Sequence, residues 1–80
     1  MPKKVLGIIG GGQLGSMLAS AARKVNIKTI IICDDPNAPA KKFADEFILS
    51  NYNNDQKIEE FAKKVDIVTF EFENIPYLTL

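Results

Sequence analysis

Four glycines within six residues, Gly10-Gly11-Gly12-Gln13-Leu14-Gly15, limit what this chain can become. Such a run cannot be a helix interior, where each glycine costs about 1 kcal/mol relative to alanine. It has to be a turn. On its N-terminal side Val5, Leu6, Ile8 and Ile9 form a short apolar run ending at Gly10. That pattern fits a strand buried on both faces of a parallel sheet. On its C-terminal side Leu14, Met17, Leu18, Ala21, Ala22 and Val25 recur at i, i+3, i+4, i+7, i+8 and i+11. This is the apolar stripe of a helix, with Ser16, Ser20, Arg23 and Lys24 off it. Asn26 suits the C-terminal stop. The glycines therefore join a strand to the start of a helix.

Strand and helix signals keep alternating. Thr29 to Cys33 is β-branched and apolar, and Asp34-Asp35-Pro36-Asn37-Ala38-Pro39 breaks it. Ala40 to Ala44 suits a short helix, and Phe47 to Leu49 a third, brief strand. Asn54 or Asp55 can cap a second full helix whose apolar face is Ile58, Phe61, Ala62 and Val65. Glu59–Lys63 and Glu60–Lys64 are i,i+4 pairs on it. Ile67 to Phe72 reads as a fourth strand, and Pro76 suits the first turn of a further helix. The expected fold is an α/β, Rossmann-like open parallel sheet, four strands in the order 3-2-1-4 with helices on both faces. Because a helix would begin just before Leu80, residues 1–80 are expected to be one domain of a longer polypeptide.

In that order the chain reverses direction between strands 1 and 4, and ligands bind at the carboxyl ends flanking such a reversal. Those ends are the glycine loop and Glu71-Phe72-Glu73-Asn74. The loop has the G-x-G-x-x-G spacing at Gly10, Gly12 and Gly15. Gly10 would allow the tight turn, Gly12 would let a ligand approach the backbone, and Gly15 would let the helix pack close. With Gly11 they form a phosphate-approach loop leading to a helix N-terminus, which favours an anion. The plainer alternative is that the glycines only shape the turn.

Gln13 is the long polar side chain inside the loop, able both to donate and to accept. A dinucleotide site has little need of it, which points to a smaller polar ligand. Asp34 stands nineteen positions after Gly15, where an acid can hold a nucleotide ribose, but Asp-Asp-Pro is also turn chemistry by itself. Glu71 and Glu73 are two apart on a strand, so they share a face about 6–7 Å apart. Two carboxylates at the end of an apolar strand need a ligand amine, ribose hydroxyls or a metal, or else solvent and a helix start, to satisfy them. Asn74 is either a ligand contact or a helix cap. Cys33, Phe43, Phe47 and Tyr52 read as packing residues.

Composition narrows the function classes. Ten basic and ten acidic residues give a net charge of zero, with no basic excess to bind nucleic acid. The single cysteine excludes an internal disulfide, and the absence of histidine excludes Ser-His-Asp and Cys-His catalysis within this chain. Every apolar run is too short to span a bilayer. A cytoplasmic protein without a membrane partner is expected.

The stretch Gly-Ile-Ile-Gly-Gly-Gly-Gln-Leu-Gly-Ser-Met-Leu (7–18) resembles the opening of the N5-carboxyaminoimidazole ribonucleotide synthetases, ATP-grasp carboxylases of purine biosynthesis. Asp34 through Pro39-Ala40, Ala44-Asp45-Glu46, and Val68-Thr69-Phe70-Glu71-Phe72-Glu73-Asn74-Ile75-Pro76 match the family in order. Ser16 departs from the family's usual arginine, and the loop at Asp35 to Asn37 is about a residue shorter. The resemblance implies a ligase that uses ATP and bicarbonate, through carboxyphosphate, to carboxylate the amine of 5-aminoimidazole ribonucleotide. ATP and Mg²⁺ would bind in later domains outside this chain, which would supply no catalytic residue and no metal ligand and would be inactive alone. It implies substrate contacts at Gln13, Leu14 and Glu71 and a homodimeric parent enzyme; Gly12, by its open backbone, and Glu73 and Asn74, by their place at the strand end, complete the expected substrate-binding set. The competing reading is an NAD- or NADP-binding module of an oxidoreductase, resting on Gly10, Gly12, Gly15 and Asp34; a third is an interaction domain whose glycines only turn the chain.

Overall fold

The computed structural model describes residues 4–70. In chain order these form β1 (Val5–Ile9), α1 (Gln13–Lys24), β2 (Lys28–Cys33), a 3-10 turn (Pro39–Phe43), β3 (Glu46–Leu49), α2 (Asp55–Lys63) and β4 (Ile67–Phe70). All pairings are parallel and the order is β3-β2-β1-β4. The expected topology is therefore observed. No helix among the described residues is long and apolar enough to cross a membrane.

Strand alternation sends side chains to two apolar layers. Leu6, Ile8, Ile31 and Cys33 face α1 and the 39–43 turn, packing with Ala19, Ala38 and Ala40. Val5, Ile9, Ile30, Ile32 and Ile48 face α2, packing with Phe61, Ile58 and Val65. Gly7 makes the second layer fit: a Cβ there would lie 2.7 Å from Phe61 Cζ and 2.9 Å from Val65. The missing side chain is the space the Phe61 ring needs.

The face α1 buries differs from the expected stripe. Gly15, Ala19 and Ala22 are buried and Leu18 packs beside them, whereas Leu14, Met17, Ala21 and Val25 are exposed. Small residues on the contact row let the helix sit close to the sheet, and the bulkier row turns outward. On α2, Ala62 is likewise exposed while Ile58, Phe61 and Val65 pack as expected. β4 takes the end position that the order 3-2-1-4 gives it. As an edge strand with one described neighbour it leaves Ile67, Val68 and Phe70 exposed.

Local chemistry accounts for the ends. Asn26 has φ 64°, its N–H bonds Arg23 O at 3.1 Å and Ile27 N–H bonds Ala22 O at 2.8 Å, a Schellman stop with asparagine in the left-handed position. Asn54 Oδ1 caps α2 by accepting from Lys57 N–H at 3.2 Å. Glu59 pairs with Lys63 as expected, but Glu60 pairs with Lys57, and Lys64, just past the helix end, reaches Glu46 of β3 at 3.2 Å. An aspartate precedes each outer strand and ties it to its neighbour. Asp45 Oδ2 accepts from Thr29 N–H and Asp66 Oδ2 from Val5 N–H, both at 2.8 Å. Backbone bonds run the other way, from Asp45 N–H to Thr29 O and from Asp66 N–H to Val5 O.

Candidate functional site

β1 delivers the glycine loop to the carboxyl edge of the sheet. Gly10 has φ 108°, a conformation closed to most side chains, and its N–H bonds Ile32 O at 2.9 Å. This is the tight turn expected of it. Gly11 is a packing position. A Cβ on it would lie 2.7 Å from Ala38 Cβ and 3.1 Å from Cys33 Sγ, and its carbonyl accepts from Ala40 N–H at 3.0 Å. The loop is thereby fastened to the segment after β2.

Gly12 is the N-cap of α1, with extended backbone, and its carbonyl accepts from Ser16 N–H at 2.9 Å and from Ser16 Oγ at 3.2 Å. Gln13 and Leu14 open the helix with exposed side chains, and Gly15 is buried beneath them. The first turn of α1 holds no acidic side chain, so no carboxylate of its own neutralises the positive helix end. Gln13 and Leu14 are thus adjacent, exposed residues of the first helical turn. The chain leaves the described residues beside this loop, since Phe70 of β4 pairs with Ile9, the residue before Gly10. Glu71, Glu73 and Asn74 lie outside the described residues.

The other flank of the loop is built from the end of β2. Gly11, Gly12 and Cys33, both Asp34 and Asp35, and Ala38, Pro39 and Tyr52 line an open cavity of about 200 Å³ there. The turn after β2 is held by Asp35. Its Oδ1 accepts from Asn37 N–H at 2.9 Å and its carbonyl accepts from Ala38 N–H at 3.2 Å. Asp34 is exposed on the cavity wall. Of the two roles open to Asp34 in the sequence, the turn belongs to its neighbour.

Tyr52 is half-buried, not merely a packing ring. Burial pushes its phenol well above the ordinary tyrosine range, reinforced by a hydrogen bond with the Cys33 thiol and by the charges of Cys33 and Asp34; the Asp34 backbone N–H, bonded to the phenol, acts in the opposite sense. The phenol therefore ties the loop after β3 to the corner where β2 ends. Only the cluster of turn residues around it, Asn51 to Asn54, hints at this in the sequence. Cys33 is buried, as expected of a small apolar residue.

A larger, open depression of about 650 Å³ is lined by Pro36, Asn37, Ala38, Pro39, Lys41 and Lys42 and includes no glycine-loop residue. Its lysines are engaged, Lys41 with Pro36 O and the Phe47 ring and Lys42 with the Phe43 ring.

The ribonucleotide synthetase preATP-grasp domain model matches residues 3–80. The chain belongs to this family. It is 46% identical over 70 residues to the N5-carboxyaminoimidazole ribonucleotide synthase of Staphylococcus haemolyticus, an alignment covering 88% of this chain and 19% of that protein. The Staphylococcus aureus synthetase, solved in complex with ADP, superposes with a TM-score of 0.87 at 37% identity over 99% of this chain and 22% of that one. The Thermotoga maritima synthetase gives 0.84 at 39% identity, over 96% of this chain and 21% of that one. The preATP-grasp chain thus spans about a fifth of the length of these relatives. Over the matched segment its fold is the one these synthetases share.

Proposed function

We propose that residues 1–80 are the N-terminal substrate-binding domain of an ATP-dependent carbon–nitrogen ligase that carboxylates 5-aminoimidazole ribonucleotide with bicarbonate. The observation that carries this reading is the 46% identity over most of the chain to a protein of that name. The exposed Gln13–Leu14 pair on a bent glycine loop, beside the end of β4, supports it.

In this reading the loop backbone at Gly12 lets the ribonucleotide lie close to α1. Gln13 bonds its polar edge, and Leu14 walls one side. Glu71 accepts hydrogen bonds from the exocyclic amine or from ribose hydroxyls and so orients a weak nucleophile, with Glu73 and Asn74 beside it. We assign no general base within the chain. Among the described residues no three Cys, Asp or Glu side chains gather where a metal ion could sit. ATP and Mg²⁺ belong to regions outside these residues, and by the same likeness the parent enzyme is a cytoplasmic homodimer.

A chimera tests this. The chain replaces the matching segment of the Staphylococcus haemolyticus relative, and ATP- and bicarbonate-dependent consumption of 5-aminoimidazole ribonucleotide is followed. Activity is expected, with Glu71→Gln lowering kcat/KM by about 10²-fold. Unchanged kcat/KM in that variant removes Glu71 from the site. The dinucleotide reading rests on the Gly10, Gly12 and Gly15 spacing and on Asp34, which lines the cavity beside the loop. Saturable micromolar binding of NADH to the chain would decide for it.

A further inference from the structure

α1 packs on β1, β2 and the 39–43 turn, and on that side Arg23 donates to Phe43 O at 2.8 Å. By helical periodicity Leu14, Leu18 and Val25 fall together on the flank opposite Arg23. The sheet order is β3-β2-β1-β4, so that flank is the one toward β4. β4 turns an apolar residue to the same side. Ile67 and Thr69 are in register with Leu6 and Ile8, which face α1, and residues in register project from the same face of a sheet. Helix flank and strand thus wall a corner whose floor is Leu6 and Leu18, both half-buried. Leu14, Val25 and Ile67 on its walls are 40%, 65% and 64% exposed. None of these residues carries a charge. Because α1 connects two parallel strands, the corner runs from Val25 at the amino edge of the sheet to Leu14 beside the glycine loop, about 16 Å of helix. Single exposed apolar side chains are ordinary, but a contiguous apolar corner marks a contact surface.

A segment that directly follows β4 does not fill it. The connection from β3 to β4, α2, lies on the opposite face of the sheet. A right-handed connection from β4 to a strand beyond it travels in the same direction and lies on that opposite face too. It would cover Val68 and Phe70, which are in register with Gly7 and Ile9, and leave the corner open. About four-fifths of the relatives' length lies outside this chain, and the ligase reading puts ATP there. An ATP-binding part has to meet the ligand at the glycine loop, and the corner ends at that loop.

We propose that this corner seats the later, ATP-binding part of the ligase polypeptide, which docks an uncharged apolar surface against Leu14, Val25 and Ile67. The inference rests on the ligase reading above and extends it. α1 then carries the ligand loop at one end and, along its β4 flank, the contact that brings ATP to that loop.

The test compares the chain alone with the chimera in which it replaces the matching segment of the Staphylococcus haemolyticus relative. Val25→Cys, Ile67→Cys and, as a control, Glu59→Cys are each labelled with a small maleimide, and rates are read peptide by peptide by mass spectrometry. Glu59 is 70% exposed on α2, and the native Cys33 is buried. In the chain alone the three introduced thiols should react at similar rates. In the chimera those at positions 25 and 67 should react at least about tenfold more slowly, with the one at position 59 unchanged. Equal rates in chain and chimera overturn the proposal. Protection that appears in the chain alone, or that fades when the chimera is diluted, also overturns it, because the occupant is then a second copy. Equal slowing at all three positions overturns it as well, since it reports aggregation. An active chimera with unprotected thiols leaves the ligase reading standing without this docking. Protection at 25 and 67 in a chimera that does not consume 5-aminoimidazole ribonucleotide supports the docking and removes the ligase reading.

Discussion

Replacing Gly11 by alanine tests the structure where fold and site meet. The new Cβ would stand 2.7 Å from Ala38 Cβ and 3.1 Å from Cys33 Sγ. Carbon atoms pack at about 3.5–4.0 Å, so something must move by about 1 Å. Ala38 is buried and its Cβ is rigidly attached to the backbone, so the 36–40 segment itself has to shift. That shift pulls Ala40 N–H away from Gly11 O, now 3.0 Å apart. Overpacking costs about 1–3 kcal/mol and the hydrogen bond about 1 more, together roughly 2–4 kcal/mol. A chain this size has only about 4–12 kcal/mol of stability in total. At roughly 4–8 °C per kcal/mol, Tm should fall by about 10–30 °C. Thermal and urea melts followed by far-UV circular dichroism measure this. Ala38→Gly removes the nearest atom, so the Gly11→Ala/Ala38→Gly pair should recover about 1–2 kcal/mol relative to additivity. An unchanged melt for Gly11→Ala, or strict additivity in the double variant, would refute the account of the loop as fastened to the segment after β2.

Three further outcomes follow from single contacts. Thr29 Oγ1 is buried and has no hydrogen-bond partner among the described residues, so Thr29→Val should raise stability by about 1 kcal/mol in a urea melt; a loss would contradict the orphaned hydroxyl. Asp45→Ala removes the acceptor of the buried Thr29 N–H and should cost about 1–2 kcal/mol, with Asp45→Asn recovering part of it; equal melts for the two variants would count against the tie. The Tyr52 phenol is raised in the fold, so its contribution to stability is intact below about pH 10 and is lost as pH rises beyond that. Tyr52→Phe should flatten the fall of Tm between about pH 9 and 11.5, and an identical slope would contradict the buried phenol.

The layout of the sheet is legible in the sequence because local signals agree. Glycine-rich punctuation, β-branched runs and capping asparagines each point to the same boundaries, and the order 3-2-1-4 follows from parallel crossovers. The buried face of α1 is not legible, because hydrophobicity ranks Leu14 and Met17 above Gly15 and Ala19, whereas close helix–sheet contact favours the smallest side chains. β4 pairs with β1 alone among the described residues, which leaves its apolar side chains exposed there. Gly7 and Gly11 escape a sequence reading for a related reason. Their need for space is created by Phe61, Val65, Cys33 and Ala38, which only the tertiary fold brings near. In the site, the spacing reveals the Gly10 turn, but not which of two adjacent aspartates holds the turn after β2, nor that Tyr52 reaches back to β2.

The most direct measurement is a ¹H–¹⁵N titration of the labelled chain with 5-aminoimidazole ribonucleotide. The amides of Gly12, Gln13, Leu14 and Glu71 should move together along one saturable isotherm, and Gln13→Ala should weaken it. Shifts confined to other parts of the sheet, or saturable binding indifferent to Gln13, would contradict a ribonucleotide seated on the glycine loop.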